Sequence, residues 1–325
     1  MVSPLLAIAM LQSKPWLEFP GPGKRVVLLA GDEEYRSEEM LPQLAKILNK
    51  RHGFHCTVLF SIGKDGTIDP NRRDHQPGIE ALQTADLCVM MLRFRAWPQD
   101  QMRSFVDYYR SGRPILALRT STHAFDFNTE SPFARFSWSS KSNPGGFGKQ
   151  VLGETWISHW GVHGKQATRG GSVASHPVLT GVKDVFGTTD VYEAHPPADS
   201  VVLMRGEVVE GMEPSAPQAA GRKKNALGVE QGLNEPMMPI VWLRRHRNEV
   251  GNTNLVMTCT MGAATDLLNE GFRRLLVNGC YFLTGGQSRI QDKMDVSLVG
   301  NYEPSPFGFE GFRKGVRPAD LASMR

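Results

Sequence analysis

Cysteine is scarce in this chain. Cys56, Cys88, Cys259 and Cys280 each sit inside an apolar stretch, and no two share a C-x-x-C spacing. That pattern excludes a disulfide framework and a cysteine-based zinc site, and it marks all four as buried small hydrophobes. Long apolar runs are missing as well, so nothing in the sequence is long enough to span a bilayer. Charge of one sign is not concentrated anywhere: the net charge is +4 over 325 residues. Short pairs such as Arg72-Arg73, Lys223-Lys224 and Arg244-Arg245 read as solvated surface, so nucleic acid is not an expected partner. No glycine pattern matches a dinucleotide or P-loop fingerprint, because Gly145-Gly146-Phe147-Gly148 follows no strand-like run. There is no internal repeat.

What is present is the composition of a globular protein, 40% hydrophobic with 22% charged residues. The segment Pro4–Leu11 is apolar and contains Ala7-Ile8-Ala9, which resembles a small-residue cleavage site, but it lacks a basic start. It reads equally as a signal remnant or a loose apolar tail, leaving both a cytoplasmic and an exported location open. Residues 1–23 are therefore taken as a lead-in, 24–285 as one α/β domain, and 286–325 as an extended tail packed on it. A homo-oligomer is compatible with these features.

Within the domain, Lys24–Ala30, His55–Phe60, Asp86–Leu92 and Ile115–Leu118 are continuous β-type runs, as expected for strands buried on both faces. Between them lie a helix opened by Ser37-Glu38-Glu39, a short helix over Pro77–Gln83, and a helix opened by Pro98. This alternation predicts an α/β fold with a doubly wound parallel sheet. Asp126–Phe147 reads as a long loop, with a helix from about Phe147 to Gly153. Val201–Met204, Met238–Leu243 and Asn254–Thr260 read as later strands, and Leu267–Leu283 as an amphipathic helix.

In such a sheet, ligands bind beyond the carboxyl ends of the strands. The first strand delivers Asp32, Glu33, Glu34, Tyr35 and Arg36 to that rim. The third delivers Arg93, Phe94, Arg95 and Trp97; the fourth delivers Arg119 through His123. If the strand over Leu255–Thr260 is also parallel, it adds Gly262 through Asp266. Carboxylates, guanidinium groups and aromatic faces together suit a polyhydroxylated ligand. His159 and His163 have i, i+4 spacing with Glu154 and Trp156 upstream, but Gly161 and Gly164 argue against a helix there. The pair therefore reads as an aromatic or substrate-contacting loop ahead of a divalent metal site, and no cofactor is expected.

The chain resembles the ThuA-like (trehalose-utilisation) family of the class I glutamine amidotransferase-like superfamily, in its planctomycete-type branch. The resemblance is carried by Gly31-Asp32-Glu33-Glu34-Tyr35-Arg36-Ser37-Glu38-Glu39, Leu118-Arg119-Thr120-Ser121-Thr122-His123-Ala124-Phe125, and Gly146-Phe147-Gly148 leading to Leu152-Gly153-Glu154-Thr155-Trp156. It continues through His159, His176-Pro177, Thr189-Asp190-Val191-Tyr192, Pro239-Ile240-Val241-Trp242 and Met261 to Leu267. It implies a flavodoxin-like fold with long loop insertions and a link to sugar catabolism, including breakdown of 3-keto-glycosides. The amidotransferase relatives carry a cysteine nucleophile after the fourth strand, where this chain has Arg119-Thr120-Ser121-Thr122. Glutamine hydrolysis by a Cys triad is thereby excluded. Related chains also carry Gly-His after the last strand, whereas this one has Gly262-Ala263.

The sequence thus predicts a carbohydrate-processing enzyme using general acid/base hydrolysis, elimination or isomerisation. His123 or Glu34 is the expected base and Arg119 the expected enolate-stabilising cation, with His159 and Asp266 completing the catalytic set. Asp32, Glu33, Tyr35, Arg93, Arg95, Trp97, Glu154, Trp156 and His163 are the expected binding residues for a small sugar or glycoside. A non-catalytic carbohydrate-binding protein and a metal-dependent hydrolase are the competing readings.

Overall fold

The computed structural model describes residues 14–324, so the apolar segment Pro4–Leu11 lies outside the described residues. Its strands in chain order are β1 (Trp16–Phe19), β2 (Arg25–Gly31), β3 (His55–Phe60), β4 (Leu87–Leu92), β5 (Ile115–Leu118), β6 (Ala167–Ser172), β7 (Val185–Gly187), β8 (Val201–Val209), β9 (Arg222–Lys224), β10 (Glu230–Gly232), β11 (Met238–Arg247) and β12 (Thr253–Cys259). The helices are α1 (Ser37–His52), α2 (Gln99–Arg110) and α3 (Glu270–Leu283).

Five strands form the parallel part of the sheet in the order β3-β2-β4-β5-β12. This is the flavodoxin-like 2-1-3-4-5 order of a doubly wound α/β fold. Alternation along each strand sorts side chains to the two faces. Val26, Leu28 and Ala30 face the core shared with α1 and α3, whereas Val27 and Leu29 face α2 and the 3-10 turn Ile79–Thr84.

The sheet extends beyond that parallel half. β11, β8, β6 and β7 add antiparallel on one side, and β1 adds antiparallel to β3 on the other, giving ten strands. β1 lies inside the segment read as a lead-in, and β9 and β10 form a separate hairpin. β6 escaped the sequence reading because Arg169-Gly170-Gly171-Ser172 carries no apolar alternation and is half-exposed.

Two helix expectations are corrected and a third is refined. Ser37 does not cap α1: its hydroxyl accepts from the Asp32 amide (3.0 Å), and the helix starts from Arg36 in the left-handed conformation. The helix expected over Leu267–Leu283 begins at Glu270, because Asn269 adopts an extended conformation and its side chain caps the Phe272 amide (2.8 Å). Thr265–Leu268 is a separate 3-10 turn. The helix expected over Phe147–Gly153 is a single π-turn, Gly148–Leu152. Among the described residues, no helix is long and apolar enough to cross a membrane.

Candidate functional site

The crevice beyond the carboxyl ends of β2 and β4 lies where strand order reverses, with β3 on one side of β2 and β4 on the other. Three non-glycine residues with left-handed backbone stand at this rim: Arg36 (φ 60°) after β2, Phe94 (φ 51°) after β4 and Arg119 (φ 44°) after β5. Such conformations are disfavoured for bulky side chains and persist where the surroundings over-determine them.

The turn after β5 is built by its own hydroxyls. Thr120 donates to the Asp32 carboxylate. Ser121 donates to the Met90 carbonyl (2.9 Å) and accepts from the Leu92 amide (3.2 Å). The two residues thus stitch β5 to the ends of β2 and β4 and are spent on structure. Gly148 lets the π-turn close onto this elbow: a Cβ there would fall 1.9 Å from the Thr122 carbonyl oxygen.

Arg119, at the strained position, turns inward and is fully buried. It donates to the Asp190 carbonyl (2.6 Å), the Thr260 carbonyl (2.9 Å), the Tyr35 hydroxyl (3.0 Å) and the Asp190 carboxylate (2.8 Å). Its guanidinium also lies over the rings of Tyr192 (3.6 Å) and Tyr35 (4.5 Å). It therefore holds Asp190 and does not reach a ligand.

Asp190 organises the site, although sequence reading assigned it no role. Its Oδ1 also accepts from His163 Nδ1 (3.0 Å), and its Oδ2 from His159 Nδ1 (2.8 Å). Burial alone would raise its pKa, but Arg119 and then the two imidazoles outweigh that and hold the carboxyl below the usual range. His163 reaches Glu34 through Nε2 (3.3 Å). Its hydrogen bonds to Asp190 and then Glu34 pull its pKa up to about 9. A continuous chain results: Glu34, His163, Asp190, His159. At its end, His159 Nε2 has no protein partner among the described residues, and about a third of that side chain is exposed.

His123 stands nearby, its Nδ1 3.2 Å from the Thr122 hydroxyl and its Nε2 without a protein partner among the described residues. Burial, then the charges of Arg93 and Arg119, push its pKa well down, so the ring is neutral. Trp156 lies between the two histidines, 5.7 Å from each ring, and Tyr192 flanks both. Phe94 and then Trp138 extend this aromatic wall, at 5.0 Å from His123 and 5.5 Å from Phe94 respectively.

A strap from the carboxyl-terminal tail covers the Glu34 side. The Gly308 amide donates to the Glu34 carbonyl (2.7 Å), and Arg36 donates to the Gly308 carbonyl (2.5 Å). Phe307 packs on Tyr35 and His163, and Phe309 sits over the Arg93 guanidinium.

The expected site residues therefore divide. His123, His159, His163, Glu34, Trp156 and Arg93 come together. Glu33 sits beside them, clamped by Arg93 and Arg95. Trp97 is in the core against Phe105 and Phe125 and lies away from the cleft. Asp266 staples its own turn, accepting from the Gly262 and Ala263 amides (3.1 Å each) and from Thr189 (2.7 Å). Glu154 is buried and saturated by Lys149, Thr155 and His195. Asp32, Tyr35 and Arg95 are buried framework beneath the rim. Two cavities of about 700 and 660 Å³ lie elsewhere and include none of these residues. The linked histidine–aspartate set lies outside both cavities.

No protein-family model matches the chain, and no curated protein matches it. Among solved structures it is similar to a protein described as ThuA-like from Parabacteroides merdae: 14% identity over 90% of this chain and 98% of that one, TM-score 0.48. A second, also described as ThuA-like, from Bacteroides uniformis, is 16% identical over 81% of this chain and 92% of that one, TM-score 0.47. An exo-β-1,4-mannosidase from an Opitutaceae bacterium is 11% identical over 82% of this chain and 36% of its own, TM-score 0.32.

Proposed function

We propose that the protein is a carbohydrate-processing enzyme that acts on a sugar or 3-keto-glycoside by proton transfer, with His159 as general base. The observation that carries this reading is the His159–Asp190 pair. A buried carboxylate held ionised fixes one imidazole nitrogen and leaves the other, Nε2, open to accept a proton. This moves the base from His123 or Glu34, the sequence expectation, to His159.

A keto group acidifies the neighbouring C–H. His159 Nε2 takes that proton, and the electron pair moves onto the carbonyl oxygen. A neutral His123 with its Nε2 protonated donates to that oxygen, its Nδ1 accepting from Thr122. Trp156 and Phe94 supply faces for the apolar side of a pyranose ring. Arg119 supports catalysis only through Asp190, so the enolate-stabilising role expected of it passes to His123.

A second reading, a metal-dependent hydrolase, is favoured by one observation: donor atoms of His159, His163 and Asp190 all lie within 4.8 Å of one another. A divalent ion there must displace the His163 proton and share Asp190 with Arg119, which weakens this alternative.

Incubating the purified protein with 3-keto-glucosides tests the first reading. His159→Ala and Asp190→Asn are expected to lower turnover by about 10²- to 10⁴-fold; turnover equal to the unmodified protein would remove the assignment. Saturable sugar binding without product would instead favour the non-catalytic version. Stoichiometric metal in the purified protein, lost in His163→Ala, would favour the metal version.

A further inference from the structure

Glu33 is a single carboxylate facing three guanidinium groups. Its Oε1 accepts from Arg93 (2.6 Å) and Arg73 (3.1 Å), and its Oε2 from Arg95 (2.8 Å). Arg95 is buried and otherwise occupied, donating to the carbonyls of Arg93, Pro70 and Arg72. Arg73 and Arg93 are not. Beyond Glu33, the Arg93 guanidinium has Glu34 at 3.8 Å and the Phe309 ring at 5.0 Å, and its Nε makes no hydrogen bond. Arg73 is about half exposed.

Both guanidinium groups lie over the ring of Phe94, at 5.5 Å and 4.6 Å. This juxtaposition is built in. The Arg73 carbonyl accepts from the Ala96 amide (3.0 Å), and Phe94 is held in its left-handed conformation by the hydrogen bond its amide donates to the His123 carbonyl (3.0 Å). Glu34 is shared between Arg93 and His163. Glu33 Oε1 bridges the two guanidinium groups, and the N–H groups it leaves over, on the half-exposed Arg73 and on Arg93, are free to take a second oxyanion. The Phe94 ring lies 5.0 Å from His123, so a group held by the two arginines would place an attached sugar ring across Phe94 toward the histidines.

We propose that Arg73 and Arg93 form an oxyanion subsite at the cleft mouth, so that the ligand is a sugar carrying an anionic substituent, a carboxylate or a phosphate. This rests on the carbohydrate reading above and names its substrate class.

Calorimetric titration of the full chain with glucose, glucuronate, glucose 6-phosphate, acetate and inorganic phosphate tests it, alongside Arg73→Gln and Arg93→Gln. Arg73 lies at the surface, so its variant keeps the fold. The charged sugars are expected to bind at least about tenfold more tightly than glucose, and Arg73→Gln to remove most of that preference. Glucuronate ahead of the phosphate ester would assign a carboxylate; the reverse would assign a phosphate. Equal binding of neutral and charged sugars, no change in Arg73→Gln, or no binding of any anion would overturn the subsite. Acetate or phosphate bound through Arg73 with no sugar bound would keep the subsite and remove the carbohydrate reading.

Discussion

Arg119 stands at a strained backbone position directly after β5, yet its side chain is wholly inside the protein and pairs with Asp190. Removing one partner of a buried pair strands the other, so Arg119→Met is expected to cost about 3–5 kcal/mol in a urea denaturation series. Stability unchanged within about 1 kcal/mol would show that Asp190 is held by other means. His163 gives the opposite pH signature to Asp190. Its folded pKa lies above its unfolded value, so its contribution is fully present below about pH 6.5 and is lost as pH rises through about 9. Comparing unmodified protein with His163→Gln from pH 6 to 10 should show a gap that closes on the alkaline side. Asp190 itself was not legible as a site residue, because the meeting depends on a fold that joins positions 71 residues apart in the chain. His159 and His163 were legible because their density with aromatics in one short stretch is unusual.

At the scale of elements, runs of apolar residues were enough to place the parallel strands and α2, since strands buried on both faces carry uniform hydrophobicity. The antiparallel strands were harder, because β6 and β7 are short and glycine-containing and gain their order from pairing with neighbours. Trp97 shows the limit of placing side chains from a strand end: its position after β4 suggested a stacking face, but the chain turns it under into the Phe105–Phe125 cluster. Trp97→Ala is therefore expected to destabilise the protein by about 3–5 kcal/mol while leaving ligand affinity unchanged, as read by chemical denaturation and calorimetry on the same variant. A loss of affinity without loss of stability would return it to the cleft. Asn269 breaks what looked like one long helix in order to cap α3. Asn269→Ala should cost about 1 kcal/mol, measured as a lower thermal midpoint.

Across the whole molecule, the strand order decides where these side chains gather. The crevice at the reversal between β2 and β4 receives Glu34, Arg93 and His123 from different loops, and the antiparallel half contributes Asp190 and Tyr192 after β7. The tail closes the Glu34 side: Ser305 donates to Glu39 (2.8 Å), the Tyr302 hydroxyl donates to the Ala264 carbonyl (2.8 Å), and Phe307 rests on His163. Phe307→Ala should raise amide exchange over residues 303–310 and increase the solvent exposure of Tyr35, measured by hydrogen–deuterium exchange and fluorescence quenching. Unchanged exchange would show that the strap is held by its polar contacts alone.

That strap also bears on when the cleft becomes whole during synthesis. Gly308 meets Arg36 across a separation of 272 residues, so the loop after the first parallel strand leaves the ribosome long before its cover exists. Until residues 307–309 emerge, Arg36, Tyr35 and Glu34 lack the contacts that bury them. A nascent chain halted near residue 300 should therefore hold a formed sheet with an open cleft, and closure waits for residues 307–309.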